Sequence, residues 1–239
     1  MTDSAEPIAP LKILFQDESL VAIHKPAGHI VHPVERPQAG DLVTMKILRD
    51  QIGVRVYNIH RIDRPTAGVL LFGIDREVSK SLHQNLADGG MEKVYWAVVE
   101  GKPELPTWTC TASIQKDADA SNREAHTDFE VLKTIEHRSG KTISLIKAVP
   151  HTGRFHQIRR HLLDAKHPII GDYRYAGIAT SDANGKLLGT GTRMLLLAKS
   201  LTFEHPKTGA TIHAETNDPL IDQLFGLSAQ KSLPKLPSA

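Results

Sequence analysis

Apolar residues recur along this chain in short bursts, and their spacing alternates between two and about three and a half. LKILF (11–15) and LVAI (20–23) flank the polar stretch QDES and predict a hairpin. HKPAGHIVHP follows as a loop, punctuated by Pro26, Gly28 and Pro33. Apolar positions 42, 45 and 48 predict a short helix over 41–51. GVLLFGI (68–74) predicts a buried strand, and Val78, Leu82 and Leu86 restore helical spacing over 75–87. KVYWAVVEG (93–101) has the aromatic and β-branched character of a strand. Further strands are predicted near 127–133, 142–149, 200–204 and 210–214, with HPKTGA (205–210) as the turn joining the last two. Helices are interspersed early and strands dominate late, without a regular βαβ rhythm. That pattern predicts an α+β fold with a mixed, mostly antiparallel sheet, and argues against Rossmann and TIM architectures.

No Pro-rich or Gly/Ser-rich linker divides the middle of the chain. The expected organisation is a single domain over 11–227, with short tails at 1–10 and 228–239. The length of 239 residues allows a sizeable core, and 40% apolar with 23% charged residues is a globular composition. The single cysteine, Cys110, excludes an intramolecular disulfide. Apolar runs such as VLLF (69–72) are too short to span a bilayer. The opening MTDSAEP lacks the basic-then-apolar pattern of a signal peptide, so a cytoplasmic location is expected.

The formal charge of +2 argues against a uniformly basic nucleic-acid binder, but the charge is uneven. Between Lys141 and Tyr175 stand seven basic and two acidic residues, an excess of five that leaves −3 for the rest. Arg55, Arg61 and Arg64 form a second cluster around Asp63. Arginines alternating with His, Gln, Gly and aromatic residues suit phosphate and base contacts. A basic face for RNA is therefore expected within a balanced total.

Three segments carry candidate chemistry. In HRIDRPTAGVLL (60–71) a carboxylate, Asp63, sits between two arginines in a loop that Pro65 and Gly68 keep non-helical. Neighbouring guanidinium groups favour its ionised form, which suits a nucleophile or base. Taken alone, the same Arg–Asp pair also suits a structural pin for the loop. In KVYWAVV (93–99), alternation sets Tyr95 opposite Val94, Trp96 and Val98. Tyr95 then faces a cleft or solvent, where its ring can stack on a base and its hydroxyl can exchange a proton. In HTGRFHQIRRHLL (151–163), Thr-Gly reads as a helix start and Phe155, Ile158 and Leu162 as the buried stripe. His156, Gln157, Arg159, Arg160 and His161 are left toward the flanks and outer face, beside a helix N-terminus that attracts phosphate. His156 and His161 are five apart, whereas helical metal ligands sit four apart, so no metal site is expected. HPIIGD (167–172) is expected to shape the floor under this helix, with no direct chemistry.

The order and spacing of these segments resemble the RluA-type pseudouridine synthases, from about Ile13 to Ala214. The resemblance rests on HRIDRPTAGVLL, KVYWAVV, PHTGRFHQIRRHL and HPIIGD, with LFQDESLVAIHKPAG (14–28) similar to the family's first hairpin. It implies a bent, mostly antiparallel sheet with a central cleft, and an isomerase that flips a uridine out of structured RNA and needs no cofactor. It further implies Asp63 as the catalytic aspartate, Tyr95 as the tyrosine against the target base and Arg159 as the aspartate's partner. Arg61 matches the arginine that enters the RNA helix as the uridine leaves. Arg64, Arg154, His156 and Arg160 are expected to contact RNA. The D-R-P-T form of the first motif, with no appended RNA-binding domain, is most similar to a branch acting on a T-stem uridine of tRNA. Ribosomal RNA is the alternative substrate, and a non-catalytic RNA-binding module is a weaker one. A nucleosidase would want a second carboxylate, which the motifs lack. No obligatory protein partner is evident. Three departures from the family pattern stand out: Ile62 for leucine, Ala67 for serine, and Leu197-Ala198-Lys199 for His-Ala-Ser.

Overall fold

A computed structural model describes residues 8–33, 35, 38, 40–116 and 121–227. The tails expected at 1–10 and 228–239 lie almost wholly outside the described residues. Among the described residues one sheet organises the chain. Its strands are β1 (Lys12–Gln16), β2 (Leu20–Lys25), β3 (Tyr57–Asn58), β4 (Ala67–Gly73), β5 (Met91–Glu100), β6 (Thr107–Cys110), β7 (Thr127–Glu136), β8 (Thr142–Pro150), β9 (Leu196–Glu204) and β10 (Thr211–Glu215). The helices are α1 (Thr44–Ile52), α2 (Arg76–Ala87), α3 (Gln157–Asp164), α4 (Ile178–Leu188) and α5 (Pro219–Phe225).

The main path through the sheet runs β1-β2-β4-β9-β5-β8-β7-β6, with β3 paired to β4 and β10 to β9. Every pairing is antiparallel except the short seam of β4 and β9, where Ala67 meets Leu197 and Gly68 meets Ala198. The expected α+β class and mostly antiparallel sheet are both present. The seam directly follows the loop that carries Asp63, so that loop leads into a strand locked to the middle of the sheet.

Each face of the sheet is covered, which explains the near-continuous apolar runs of β2, β4 and β5. Leu20, Ala22, Val69 and Leu71 pack with Val78 and Leu82 of α2. Val21, Ile23, Leu70 and Phe72 pack with Leu48 of α1 on the opposite face. β5 divides in the same way. Val98 joins Leu145 and Phe225 of α5, whereas Ala97 and Val99 join Ile158 and Leu162 of α3. A register shift between Val94 and Tyr95 lets the strand turn its tyrosine toward the α3 side.

The hairpin, α1, α2 and the later strands follow the hydrophobic spacing. Strands β3 and β6 and helices α4 and α5 were not predicted. β3 has two residues and β6 four, too short to show a period. α4 (IATSDANGKLL) has no clear apolar stripe. α5 is announced by Asp218, whose side chain accepts from the Leu220 amide, followed by Pro219. α3 begins at Gln157, later than expected, because His156 adopts a left-handed conformation (φ 54°) and blocks an earlier turn.

Gly68 is needed by this packing. Its φ is 117°, and an added Cβ would fall 2.2 Å from the Ala198 carbonyl oxygen across the seam. Gly68→Ala therefore forces β4 and β9 apart. We expect it to cost about 2 kcal/mol or more, lowering Tm by roughly 4–8 °C in a thermal melt. Gly153→Ala, with nothing within 4 Å of its Cβ position, leaves Tm unchanged.

Candidate active site

A cavity of about 670 Å³ opens beside the seam, within the range of small-ligand pockets. The loop before β4 forms one wall (Asn58–Asp63), Lys93 and Tyr95 of β5 form the back, and the segment from Pro150 to Arg159 forms the other wall. Asp63 lies at its floor. The Arg159 Nη1 donates to Asp63 Oδ2 at 3.0 Å. The other edge of the same guanidinium grips Asp172, with Nε to Oδ2 at 2.7 Å and Nη2 to Oδ1 at 2.8 Å. Arg159 and Asp172 are 5% and 1% exposed, so this pair is sealed from water while Asp63 remains reachable. Burial works against the Arg159 charge, but the hydrogen bonds to Asp172 and Asp63 outweigh it and raise its pKa above the ordinary value.

The planar fork explains why arginine stands here. One edge satisfies a buried carboxylate in bidentate fashion, and an N–H of the other terminal nitrogen, Nη1, aims at a second carboxylate. Asp172 thus has more than the floor-shaping role expected of HPIIGD. It fixes the group that fixes Asp63. It also accepts from the Arg174 and Tyr175 amides, which tethers its own loop.

Tyr95 lines the cavity, as expected from the alternation. Burial first, then the charge of Asp63, push its phenol well above the ordinary value. It is therefore a neutral hydroxyl at physiological pH. His156 lies on the opposite wall, with Nε2 3.7 Å from Asp63 Oδ2 and Nδ1 2.9 Å from the Tyr175 hydroxyl. Burial pulls its pKa to about 4 against the pull of Asp63, so the ring is neutral.

Several expectations need correction. Phe155 does not join the buried stripe; it lines the cavity and stacks on His156 with centroids 3.7 Å apart. Gln157, Arg159 and His161 do not face outward, because the loops before β7 cover that side of α3. Gln157 donates to Thr127 and the His126 carbonyl, and His161 pairs with Thr127 and the Ala112 carbonyl. The linear basic run is not one free face either, since acids from distant segments neutralise it. Lys141 pairs with Glu100 and Lys147 with Glu130. Arg64 pairs with Asp41 and donates to the Gly28 carbonyl, while Arg160 donates to the Gln115 carbonyl; neither lines the cavity. The cationic side chains that do line it are Arg61, Lys93, Lys116, Arg154 and Arg159.

Two anchoring groups were missed. Lys25, fully buried at the end of β2, donates to the carbonyls of Pro26, His29 and Arg64. Three donors meet three acceptors, and the Arg64 carbonyl belongs to the residue after Asp63. His60 accepts from the Leu71 amide at Nε2, and burial followed by Lys93 holds its pKa to about 4. The HKPAG and HRID motifs contained both residues, but nothing local showed which would turn inward. The Lys199 departure is also resolved. It donates to the Thr216 carbonyl, pairs with Glu215 and lies 4.5 Å from the Trp96 ring centroid, tying β9 to β5 and to the segment before α5.

Residues 19–164 match the family model described as RNA pseudouridylate synthase. The chain belongs to the RNA pseudouridylate synthase family. It is 38% identical over 213 residues to the tRNA pseudouridine synthase C of Haemophilus influenzae, covering 83% of this chain and 89% of that one. It is 34% identical over 226 residues to the protein of the same name from Yersinia pestis, covering 87% and 88%. Human RNA pseudouridylate synthase domain containing 1 shares the fold, with a TM-score of 0.73 at 21% identity over 93% of this chain and 90% of that one. The synthase is an isomerase, converting uridine in RNA to pseudouridine. Among its described residues no helix is long and apolar enough to cross a membrane.

Burial lowers the Lys25 pKa to about 7 against the opposing pull of Asp63. Between pH 7 and 10.5 the folded synthase then binds fewer protons at this site than the unfolded chain, so stability rises with pH there. We expect Lys25→Met to cost about 1–3 kcal/mol at pH 7, through three orphaned carbonyls, and to lack that rise. Denaturant titrations of both proteins at pH 7 and pH 9.5 measure the difference.

Proposed function

We propose that the synthase isomerises a uridine of tRNA, in the T-stem, after flipping it into the cavity. The observation that carries this reading is the Asp63 carboxylate, held by Arg159 at the floor of a cleft with a neutral tyrosine beside it. The names of the relatives support tRNA as the RNA class, and a cytoplasmic location fits such a substrate.

The reaction breaks the N1–C1′ bond, turns the uracil and joins C5 to C1′, with loss of the C5 proton and gain of a proton at N1. Nothing is oxidised, and no group is donated from outside. Flipping costs a few kcal/mol of stacking and pairing. Arg61 and Arg154, on opposite walls, offset this through contacts with RNA, Arg61 by filling the space the base leaves. Arg61, Arg154 and His156 are the proposed RNA contacts inside the cavity, with Arg64 and Arg160 as contacts beside it; Arg154, like Arg64 and Arg160, also donates to a backbone carbonyl, here that of Glu124. Asp63 acts on the flipped nucleoside as the ionised carboxylate, and Arg159 fixes which oxygen faces the substrate. Tyr95 stacks against the uracil and, being neutral, guides the C5 proton through its hydroxyl rather than as a phenolate.

Asp63→Asn keeps the cleft and its cations but removes the charge. We expect tritium release from RNA carrying 5-tritiated uridine to fall by at least about 10³-fold, roughly 4 kcal/mol of barrier, with tRNA affinity within about threefold. Near-normal release would overturn the role of Asp63. Carbodiimide mapping of RNA from cells with and without the protein tests the substrate. Loss of a T-stem pseudouridine is expected, and loss of a ribosomal one instead would overturn the tRNA assignment.

A further inference from the structure

At the rim of the cleft stands a cluster that the isomerase chemistry does not use. The register of β7 and β8 pairs Asp128 with Val149 and Thr127 with Pro150. Continued by one residue, the same register sets His126 opposite His151, and the His151 amide donates to the His126 carbonyl. Residues two apart on a strand share a face, so His126, Asp128 and His151 project to one side. Both imidazoles present Nε2 to the same carboxylate. His126 Nε2 lies 3.3 Å from Asp128 Oδ1 and His151 Nε2 lies 2.7 Å from Oδ2. The rings are 4.3 Å apart at their centroids, and one ligand atom from each of the three residues falls within 4.8 Å of the others.

We propose that His126, Asp128 and His151 form a binding site for a divalent transition-metal ion of the zinc type. Two imidazoles and one carboxylate are a donor set that zinc accepts, with bonds of about 2.0–2.2 Å. Tetrahedral bonds of that length separate neighbouring ligand atoms by roughly 3.3 Å. The His126–Asp128 distance already matches this, and it is long for a hydrogen bond. The His151 contact runs to the other oxygen, Oδ2, at 2.7 Å, so the carboxylate must turn and this contact open by about 0.6 Å, which half-exposed side chains permit. An outer layer is present as well. Thr109, opposite Asp128 on β6, donates to Oδ1 at 2.6 Å and fixes the carboxylate, as ligands usually are fixed. The side chains are 44–47% exposed, which gives an ion an entry path and a water-facing fourth position.

The site is not catalytic, since Asp63 lies at the cavity floor and these residues lie at its edge. Its effect falls on the segment that forms one wall. His151 lines the cavity, and its neighbour Thr152 accepts from the His126 amide and donates to Gln157 at the start of α3. A bound ion therefore braces β7 against the turn that leads into the helix carrying Arg159.

Titration of the untagged full chain with Zn²⁺ in a calorimeter tests the proposal. One saturable equivalent is expected. His151→Ala and Asp128→Asn should each weaken it by more than about 100-fold, and Thr109→Val by about tenfold. His137→Ala removes a half-buried histidine at the opposite end of the β7–β8 hairpin from the cluster and should leave the affinity unchanged, and thermal melts confirm that each variant is folded. No saturable binding by the wild type, or binding that survives His151→Ala and Asp128→Asn in folded protein, would overturn the site.

Discussion

One guanidinium holds two carboxylates, and the active site follows from that sharing. Arg159 is buried, and an isolated buried charge is costly, so Asp172 satisfies two of its N–H groups in a dry setting. A third N–H, on Nη1, points into the cavity and meets Asp63. The arrangement fixes a reactive carboxylate in place while leaving one of its oxygens open to a substrate. It also spans the fold: Asp63 precedes β4, Arg159 lies on α3, and Asp172 lies in the turn that follows. Asp172 also accepts from backbone amides of that turn, so the whole ion triad is referenced to the main chain.

The rest of the sheet serves to keep these three segments in register. The β4–β9 seam requires Gly68, five residues after Asp63, and Lys25 ties the end of β2 to the Arg64 carbonyl. His60 ties the front of the same loop to β4. The loop that carries Asp63 is therefore pinned on three sides, by buried Gly68 and Lys25 and by half-buried His60. Such rigidity suits an enzyme whose substrate must do the moving. In the proposed reaction the base leaves its helix, and a cavity held by buried contacts receives it.

Much of this was legible in the sequence, and the gaps have physical causes. Asp63 and Tyr95 were singled out by the order and spacing of their motifs taken together, since a carboxylate between two arginines and a tyrosine on a strand each also suit a structural role. The sheet class was legible because period-two runs with turn residues are local signals. Asp172 was not, because a carboxylate in HPIIGD acquires its meaning only when the fold brings Arg159 to it. The basic run from Lys141 to Tyr175 misled for the same reason. Glu100 and Glu130, which neutralise part of it, arrive from other strands. The histidine cluster at 126 and 151 depends on strand register, so a search for helical ligand spacing passed it by. Helix α4 had no apolar stripe to announce it, and its place is set by packing around the turn after α3.

We expect Asp172 to act on catalysis through Arg159 and Asp63, without touching RNA. Single-turnover pseudouridine formation by Asp172→Asn on a tRNA transcript, with affinity measured alongside, tests this most directly. The account predicts a rate at least about 100-fold lower, near 2.7 kcal/mol of barrier, with tRNA affinity within about threefold in a folded variant. A folded Asp172→Asn protein that reacts at the wild-type rate would contradict it.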